Sequence, residues 1–399
     1  MPSAGESLFW ISLCAVLAPL LAGLVLRHKV PEVVLLLVLG VLIGPNVLDL
    51  AVAGEGVTML RQLGLGMLFL LAGYELEPAE LTGHGGRRAL ATWLVCLLLA
   101  LGLIGLLGAL GPIHAEVAVS IAITSTALGT LLPILKDAGL LGTRIGRTVM
   151  NHGAYGELGP VVAMSVLLGA HGPAESLVVL LVFALLAVLV HRFSARVGQE
   201  GSKVLAVIRR GAETSGQTQV RLVVLLLVTL TAAAAAFDLD TVLGAFAAGF
   251  VLRQLVPDGH DALELKLEGL AFGLLIPVFF ITSGMAIDPR AVVEEPFDLV
   301  AFVVLILLVR GGVVYVATIT GGGFDRREST VVALFASTGL PIIVAVTSVA
   351  VSEGQMTTTN ASVLVAGGAL TVLACPLLAQ RMLARGHPDR VSQTGHSGP

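Results

Sequence analysis

Apolar runs long enough to cross a bilayer follow one another along almost the whole chain. A transmembrane helix needs about 20 mainly apolar residues. Hydropathy predicts thirteen such spans, at residues 8–26, 33–49, 57–75, 89–111, 115–135, 145–170, 174–192, 220–237, 239–255, 265–284, 298–318, 328–351 and 361–382. Of the 399 residues, 56% are hydrophobic and only 13% charged, as is typical of an integral membrane protein. The sequence therefore predicts an all-α polytopic membrane protein with about 13 transmembrane helices.

Basic residues predict how these spans are oriented. With the N-terminus outside, 20 of the 23 Lys and Arg residues fall on the cytoplasmic side, as the positive-inside rule requires. The exceptions are Arg61, Arg290 and Arg310. No basic segment precedes the first span, so we expect a retained span rather than a cleaved signal. We expect a multi-pass protein of the cytoplasmic (inner) membrane, with the C-terminus in the cytoplasm.

We expect the chain to form one membrane domain over residues 1–399. Its first half covers residues 1–192 and its second half residues 220–382. Between them, residues 193–219 are polar and contain Gly and Ser, which predicts a cytoplasmic linker. A short cytoplasmic tail, residues 383–399, follows.

The composition does not favour a disulfide framework, a cofactor or a nucleic-acid partner. Cys14, Cys96 and Cys375 are widely spaced in apolar runs, so we interpret them as packing residues. No cofactor motif occurs in the sequence, and we expect no cofactor.

The two halves share a repeated motif. Residues Gly73 to Pro78 in the third span match Gly284 to Pro289 in the tenth at an offset of 211. Residues Ser125 to Leu128 in the fifth span match Ser337 to Leu340 in the twelfth at an offset of 212. Seven spans separate the members of each pair. Because seven is odd, the pattern predicts inverted repeats, which are common in secondary transporters.

The fifth and twelfth spans have the composition of interrupted helices. The run from Thr124 to Thr126 precedes Gly129, and the run from Ser337 to Gly339 leads into Pro341, which removes a backbone donor. Interrupted helices at membrane depth line a cavity, where their ends bind ions. The alternative is a pair of helices softened by Ser and Thr and packed on small residues. The repeat favours the interruption.

Glu157 is the only acidic residue in the apolar run 145–170. An ionised group at mid-membrane costs about 2.5 kcal/mol or more, so such residues are usually functional. We predict that ionised Glu157 binds a monovalent cation with help from the hydroxyls of Ser125, Thr126 and Thr338. Protonation of Glu157 then releases the cation. A single titrating carboxylate predicts electroneutral one-for-one exchange.

Other polar residues are candidates for supporting roles, and Thr124 and Ser337 flank the predicted breaks. Arg310 lies near the centre of the eleventh span, where it could meet Glu157; a structural ion pair is the alternative role. Asn151 and His152 precede Glu157 by one to two helical turns. His152 is a candidate modulator of the pH response, or else a packing residue.

Three further residues are assigned structural roles. Tyr155 lies on another face of the helix from Glu157 and is expected to pack in the core. Glu75 and Arg61, near the ends of the third span, are expected to cap or pair at the membrane interface.

Several strings together resemble one family. They are the stretch from Pro31 to Pro45, Leu68 to Leu76, Thr124 to Ala127, Gly244 to Gly249, and Pro277 to Met285. The chain resembles the bacterial sodium/proton antiporters of the monovalent cation:proton antiporter superfamily, second branch. The resemblance implies a core bundle, built around two crossed discontinuous helices, that moves against a dimerisation domain in a homodimer. It also implies that the third to sixth and tenth to thirteenth spans supply the core.

The sequence departs from this family at two positions. Many members carry Asp-Asp or Asn-Asp where this chain has Gly156-Glu157. Relatives often place a Lys where this chain has Arg310. An arginine does not release its proton in a transport cycle, whereas a buried lysine can.

These features predict a transporter that exchanges Na⁺, with K⁺ and Li⁺ as other candidates, for protons by alternating access. Its expected partners are monovalent cations, protons, the lipid bilayer and a second copy of the chain. The alternative is an antiporter scaffold reused as a membrane-embedded enzyme. In that case Glu157 and His152 would do acid/base chemistry on a lipophilic substrate such as a polyketide.

Overall fold

The computed structural model describes most of the two halves, namely residues 2–25, 30–76, 81, 83–109, 115–168, 185, 192, 217–255, 261–321 and 323–384. Every regular element within these ranges is a helix. Nearly all of the seventh predicted span (174–192), most of the predicted linker (193–219) and most of the predicted tail (383–399) lie outside the described residues.

The first half contributes seven helices to the described structure. They are α1 (Ala4–Leu20), α2 (Glu32–Ile43), α3 (Glu55–Glu75), α4 (Gly83–Ala109), α5 (Glu116–Ile123), α6 (Leu128–Asp137) and α7 (Arg144–Leu167).

The second half contributes ten described helices. They are α8 (Thr218–Ala236), α9 (Thr241–Leu255), α10 (Asp261–Leu270), α11 (Ile276–Met285), α12 (Pro289–Glu294), α13 (Pro296–Leu305), α14 (Val313–Gly321), α15 (Arg326–Ala336), α16 (Leu340–Ser352) and α17 (Thr358–Ala384). A π-helical segment, Ala271–Leu275, joins α10 to α11, and another, Ile306–Gly312, joins α13 to α14.

Eight continuous stretches of the described chain are long and apolar enough to cross a membrane. Shorter apolar helices occur at Glu32–Ile43, Glu116–Leu132 and Thr241–Leu255. The fold class is therefore confirmed as an all-helical membrane protein. The count of thirteen spans stays a prediction.

The helices pack in two groups. One group, here called the glycine bundle, comprises α1, α2, α3, α8, α9, α10 and α11. The other, here called the crossing bundle, comprises α4 to α7 and α13 to α17. The resemblance placed the third and tenth spans in the core with the broken helices. That assignment is wrong, because α3 packs mainly on α9 and α11 mainly on α2.

Four glycines bring helices of the glycine bundle together through their backbones. A Cβ on any of them would overlap a carbonyl oxygen of the partner helix, the pairs being Gly73 with Phe246, Gly249 with Leu70, Gly284 with Leu37, and Gly40 with Ile281. Small residues permit such close approach of membrane helices. Each pair joins one helix of the first half to one of the second, so the two halves interlock.

Candidate functional site

Two helices of the crossing bundle are interrupted, as the sequence predicts. The first break separates α5, which ends at Ile123, from α6, which begins at Leu128. The second separates α15, which ends at Ala336, from α16, which begins at Leu340. Both breaks are buried, with Thr124 and Ser337 fully enclosed.

The two unwound segments cross and bond to each other. The Ala127 N–H donates to the Thr338 carbonyl at 2.8 Å, and the Thr126 hydroxyl donates to the Ala336 carbonyl. The Ser125 hydroxyl lies 3.3 Å from the Gly339 carbonyl. A Cβ at Gly339 would overlap Ser125, so only glycine permits this approach. The crossing implied by the resemblance is therefore present.

The hydroxyls at the breaks mostly serve the helix ends. Thr124 donates to Ile121 O at 2.9 Å, and Thr338 donates to Phe335 O at 2.8 Å. Ser337 donates in the same way to Ala333 O at 2.8 Å. Such bonds satisfy carbonyls left without partners where a helix stops.

Glu157 lies in the middle of α7 and is 3% exposed. Its carboxylate accepts a hydrogen bond from the backbone N–H of Leu128, the first residue of α6. The positive end of a helix dipole therefore points at this carboxylate. Among the described residues, Oε2 of Glu157 has no hydrogen-bond partner. This oxygen is available to a cation or a proton.

Pro160 fixes α7 to the first unwound segment. A proline has no N–H, so the carbonyl four residues earlier in the helix, that of Gly156, loses its usual partner. The Thr126 N–H donates to this carbonyl at 2.8 Å. The sequence thus creates an acceptor one residue from Glu157 and uses it to hold the crossing beside the carboxylate.

Arg310 is fully buried, on the π-helical segment Ile306–Gly312. Its Nε donates to the Thr126 hydroxyl at 3.0 Å and its Nη2 to the His152 carbonyl at 2.7 Å. Its Nη1 lies 4.0 Å from Cys96 Sγ. Arg310 and Glu157 form no ion pair in the described structure, so the contact that the sequence allowed between them does not form.

Asn151 and His152 lie away from Glu157. They line a separate cavity of about 180 Å³, together with Arg88 and Arg144. His152 is buried, and its Nδ1 has no hydrogen-bond partner among the described residues. The Tyr155 hydroxyl donates to Leu81 O at 2.9 Å. These side chains are therefore separate from the carboxylate site.

A larger cavity, of about 530 Å³, lies between the two bundles and reaches Glu157. Its wall includes Leu68 and Ala72 of α3 and Thr130 of α6. Ser125, Thr126 and Thr338, the predicted hydroxyl ligands, do not line it. Thr130 is the hydroxyl that the structure places there instead.

The charged residues that line this cavity, within the described ranges, are all acidic. They are Glu32, Glu75, Glu157 and Glu268. A cleft lined by one sign of charge concentrates ions of the opposite sign. The cavity is thus suited to cations.

Glu75 is the site residue that sequence reasoning missed. It was expected at the membrane interface, but the structure places it in the cavity, where its negative charge acts on Glu157. Its Oε2 lies 3.6 Å from where a Cβ on Gly129 would be, so it reaches α6. The repeat carried a signal, because the matching position in the second half is Ala286. An acid present in only one repeat indicates a role outside the shared scaffold.

A carboxylate at the tip of a half-helix, beside two crossed breaks and between two bundles, defines a membrane transporter of the discontinuous-helix class. A family model described as "Sodium/hydrogen exchanger, transmembrane" matches residues 12–385. The chain belongs to this sodium/hydrogen exchanger family.

Curated relatives and solved structures agree with this assignment. The chain is 22% identical to the putative Na(+)/H(+) antiporter YjbQ of Bacillus subtilis, over 95% of this chain and 63% of YjbQ. It is 25% identical to the Na(+)/H(+)-K(+) antiporter GerN of Bacillus cereus, over 82% and 83% of the two chains. Against the glutathione-regulated potassium-efflux protein KefC of Klebsiella pneumoniae, identity is 27% over 76% of this chain and 48% of KefC. The chain therefore spans less than two thirds of YjbQ and about half of KefC.

The fold matches that of a solved antiporter. The sodium proton antiporter MjNhaP1 from Methanocaldococcus jannaschii superposes with a TM-score of 0.64. The match covers 95% of this chain and 97% of MjNhaP1, at 16% sequence identity. At that identity the likeness shows the fold alone.

Proposed function

We propose that this protein exchanges Na⁺, with K⁺ or Li⁺ as other candidate ions, for protons across the cytoplasmic membrane. The observation that carries this proposal is Glu157, which lines an acidic cavity between two helix bundles and whose Oε2 has no hydrogen-bond partner within the described part of the chain. Relatives named as Na⁺/H⁺ antiporters support it.

The exchange rests on competition at Glu157. A hard monovalent cation prefers oxygen ligands, and the cavity offers the carboxylates of Glu157 and Glu75 and the hydroxyl of Thr130. A proton on Glu157 removes the charge that holds the cation. Since one carboxylate cannot hold both, binding of either releases the other, and this competition couples the two movements.

The cavity faces the cytoplasm in the orientation that we propose. Glu32 lies at the start of α2, Glu75 at the end of α3 and Gln380 near the end of α17, and all three line the cavity. The adjoining loops and tail carry the basic residues that predict a cytoplasmic location. In this proposed orientation the cavity opens towards the cytoplasm, and the N-terminus of the protein lies outside.

Movement between the bundles would open the opposite side. The cavity has one wall from the glycine bundle and another from the crossing bundle, so displacement of one bundle against the other changes its access. The equivalent glycine contacts support the inverted repeat, because Gly284 follows Gly73 by 211 residues and Gly249 follows Gly40 by 209. We propose, from the family resemblance, that the protein acts as a homodimer.

No observation favours the enzyme alternative. It required Glu157 and His152 to act together, but His152 lines the smaller cavity and Glu157 the larger one. The Tyr155 hydroxyl is bonded to Leu81 O. We therefore retain transport alone.

Glu157→Gln tests the proposal directly. The amide keeps the shape of the side chain but does not take part in cation and proton exchange, so cation-driven proton movement in proteoliposomes should be lost. Na⁺ should raise the Tm of the wild-type protein and not that of the variant, because a ligand stabilises only the state that binds it.

Glu294→Gln is the matched control, since this glutamate is exposed at the end of α12. We expect it to exchange and to bind Na⁺ as the wild type does. Retained exchange in Glu157→Gln would show that the ion site lies elsewhere.

A further inference from the structure

Arg61 joins the two bundles through a single side chain. Its Nη2 donates to the hydroxyl of Ser348 at 2.8 Å. Arg61 belongs to α3 of the glycine bundle, and Ser348 belongs to α16 of the crossing bundle. The hydrogen bond therefore crosses the boundary along which the bundles would have to separate.

Arg61 lies on the face of α3 that lines the cavity. Leu68 follows it by seven residues, which places the two within about 20° around the helix and about 10 Å apart along it. Leu68, Ala72 and Glu75 line the cavity, and Arg61 does not. It lies beyond the last lining residue of α3, away from the end at Glu75.

Ser348 has the corresponding place on α16. It follows Leu340, the first residue after the second break, by eight residues, or about 12 Å. Pro341, at the start of α16, lines the cavity. The Arg61–Ser348 contact thus lies past the crossed breaks, on the side opposite the acidic end of the cavity.

The charge of Arg61 opposes a cation at this point. A guanidinium stays protonated under all physiological conditions. Arg61 is half-buried, so solvent screens its charge less than that of a fully exposed arginine. A cation moving from Glu157 past Leu68 would approach a fixed positive charge, whereas the cavity behind it is acidic.

We propose that Arg61 is the gate residue on the outer side of the transport path. Its hydrogen bond to Ser348 holds the bundles together there, and its charge keeps cations from passing while the other side is open. Outward opening must break this hydrogen bond and move the guanidinium off the path. The proposal rests on the proposed exchange function, because a gate requires a path with alternating access.

Thiol labelling from outside tests the gate. A cysteine at position 68 would report whether the cavity is reachable from the outer side, and the native cysteines are all buried. The variants are made in a Leu68→Cys protein. Loss of a hydrogen bond to a charged group should shift the equilibrium between the inward-open and outward-open conformations by about tenfold towards the outward-open one. We therefore expect Arg61→Gln and Ser348→Ala each to speed labelling by an impermeant reagent by about tenfold.

The charge of the reagent separates the two roles of Arg61. Ser348→Ala removes the hydrogen bond and keeps the guanidinium, so the labelling rates with cationic and anionic reagents should rise by the same factor. Arg61→Gln also removes the positive charge, so the labelling rate should rise by a larger factor with the cationic reagent than with the anionic one. A side chain that only stabilised the fold would not produce this difference.

Arg290→Gln is the control, because Arg290 is exposed on α12 and is also predicted to lie outside. If labelling in both gate variants matches this control, the gate assignment is wrong. Gel filtration of each variant verifies folding, and Ser348→Ala tests the contact if Arg61→Gln does not fold. Exchange by the wild-type protein is measured separately, so its absence would overturn the proposed function without altering the labelling result.

Discussion

Gly156, the residue before Glu157 on α7, lies close to Arg310. A Cβ on Gly156 would overlap Nη2 of Arg310 and the side chain of Thr126. The two departures from the family pattern are therefore physically linked. Gly156 leaves the space that the guanidinium fills, and a larger side chain at position 156 would displace the guanidinium from its present position.

The same residues show what the sequence could not predict. The sequence made Glu157 a candidate ion-binding residue because it is a lone acid in an apolar span, where burying a charge is costly. The hydrogen-bond partners of Arg310 could not be predicted from the sequence, because the five N–H donors of a guanidinium can bond to hydroxyls and carbonyls as well as to a carboxylate. Here it bonds to Thr126 and His152 rather than to Glu157.

Glu75→Gln should weaken cation binding without abolishing exchange. It removes one of the four carboxylates that line the cavity while leaving Glu157 in place. We expect KM for Na⁺ to rise about tenfold, equivalent to about 1.4 kcal/mol, with kcat less affected. Initial rates of exchange in proteoliposomes over a range of Na⁺ concentrations would measure both.

Glu32→Gln provides the comparison for this prediction. Glu32 lines the same cavity but is exposed, so solvent and salt screen its charge. Its KM should change much less than that of Glu75→Gln. Equal KM values for the two variants would mean that Glu75 acts only through the nonspecific electrostatic attraction of cations to the cavity.

At the scale of elements, the breaks were predictable but the use of their hydroxyls was not. Gly, Pro and the repeat indicated where α5 and α15 stop. A Ser or Thr hydroxyl at such a position can bond back to a preceding carbonyl or face a ligand, and the sequence does not distinguish these roles. In the structure Thr338 bonds back to Phe335 and is away from the cavity, whereas Thr130 bonds back to Ala127 O at 3.0 Å and also lines the cavity.

Pro160→Ala should alter the junction between α7 and the first break. Alanine restores an N–H that can bond to the Gly156 carbonyl within the helix, in competition with the Thr126 N–H. Because this would loosen the crossing beside Glu157, we expect at least a severalfold slower exchange with a Tm no lower than that of the wild type. Exchange assays and thermal unfolding would be measured together.

Pro19→Ala separates this effect from a general effect of removing proline. Pro19 lies inside α1 and is exposed, on a helix of the glycine bundle. We expect unchanged exchange. A wild-type rate for Pro160→Ala would show that the freed carbonyl has no part in transport.

At the scale of the whole molecule, hydropathy established the membrane setting but not which helices are neighbours. The order of the spans along the chain does not determine which helix faces pack against each other. Gly249, in the string from Gly244 to Gly249 that carries part of the family resemblance, contacts the backbone of α3. Only the structure showed that this contact places the third span in the glycine bundle.

One complete cycle should move no net charge. If Glu157 alone exchanges its proton and Glu75 keeps one charge state, one monovalent cation leaves for each proton that enters. An imposed potential of 100 mV should then leave the equilibrium ion ratio unchanged. A cycle that moved one net charge would shift that ratio by about fiftyfold.

Proteoliposomes with a membrane potential set by an ion that the protein does not exchange would measure this stoichiometry. A current, or an ion ratio that follows the potential, would contradict one-for-one exchange. If the Glu75→Gln variant then lost that dependence on potential, both carboxylates would be shown to change protonation during the cycle.

The four glycine contacts also bear on how such a protein is assembled. Each one joins a helix from residues before the linker to a helix after it, so neither half encloses its own bare backbone surfaces. When only the first 192 residues have been synthesised, the helix surfaces that form these four contacts do not yet have their partner helices. Packing of these helices therefore follows their insertion into the bilayer, and it cannot be completed until α9 and α11 have been synthesised.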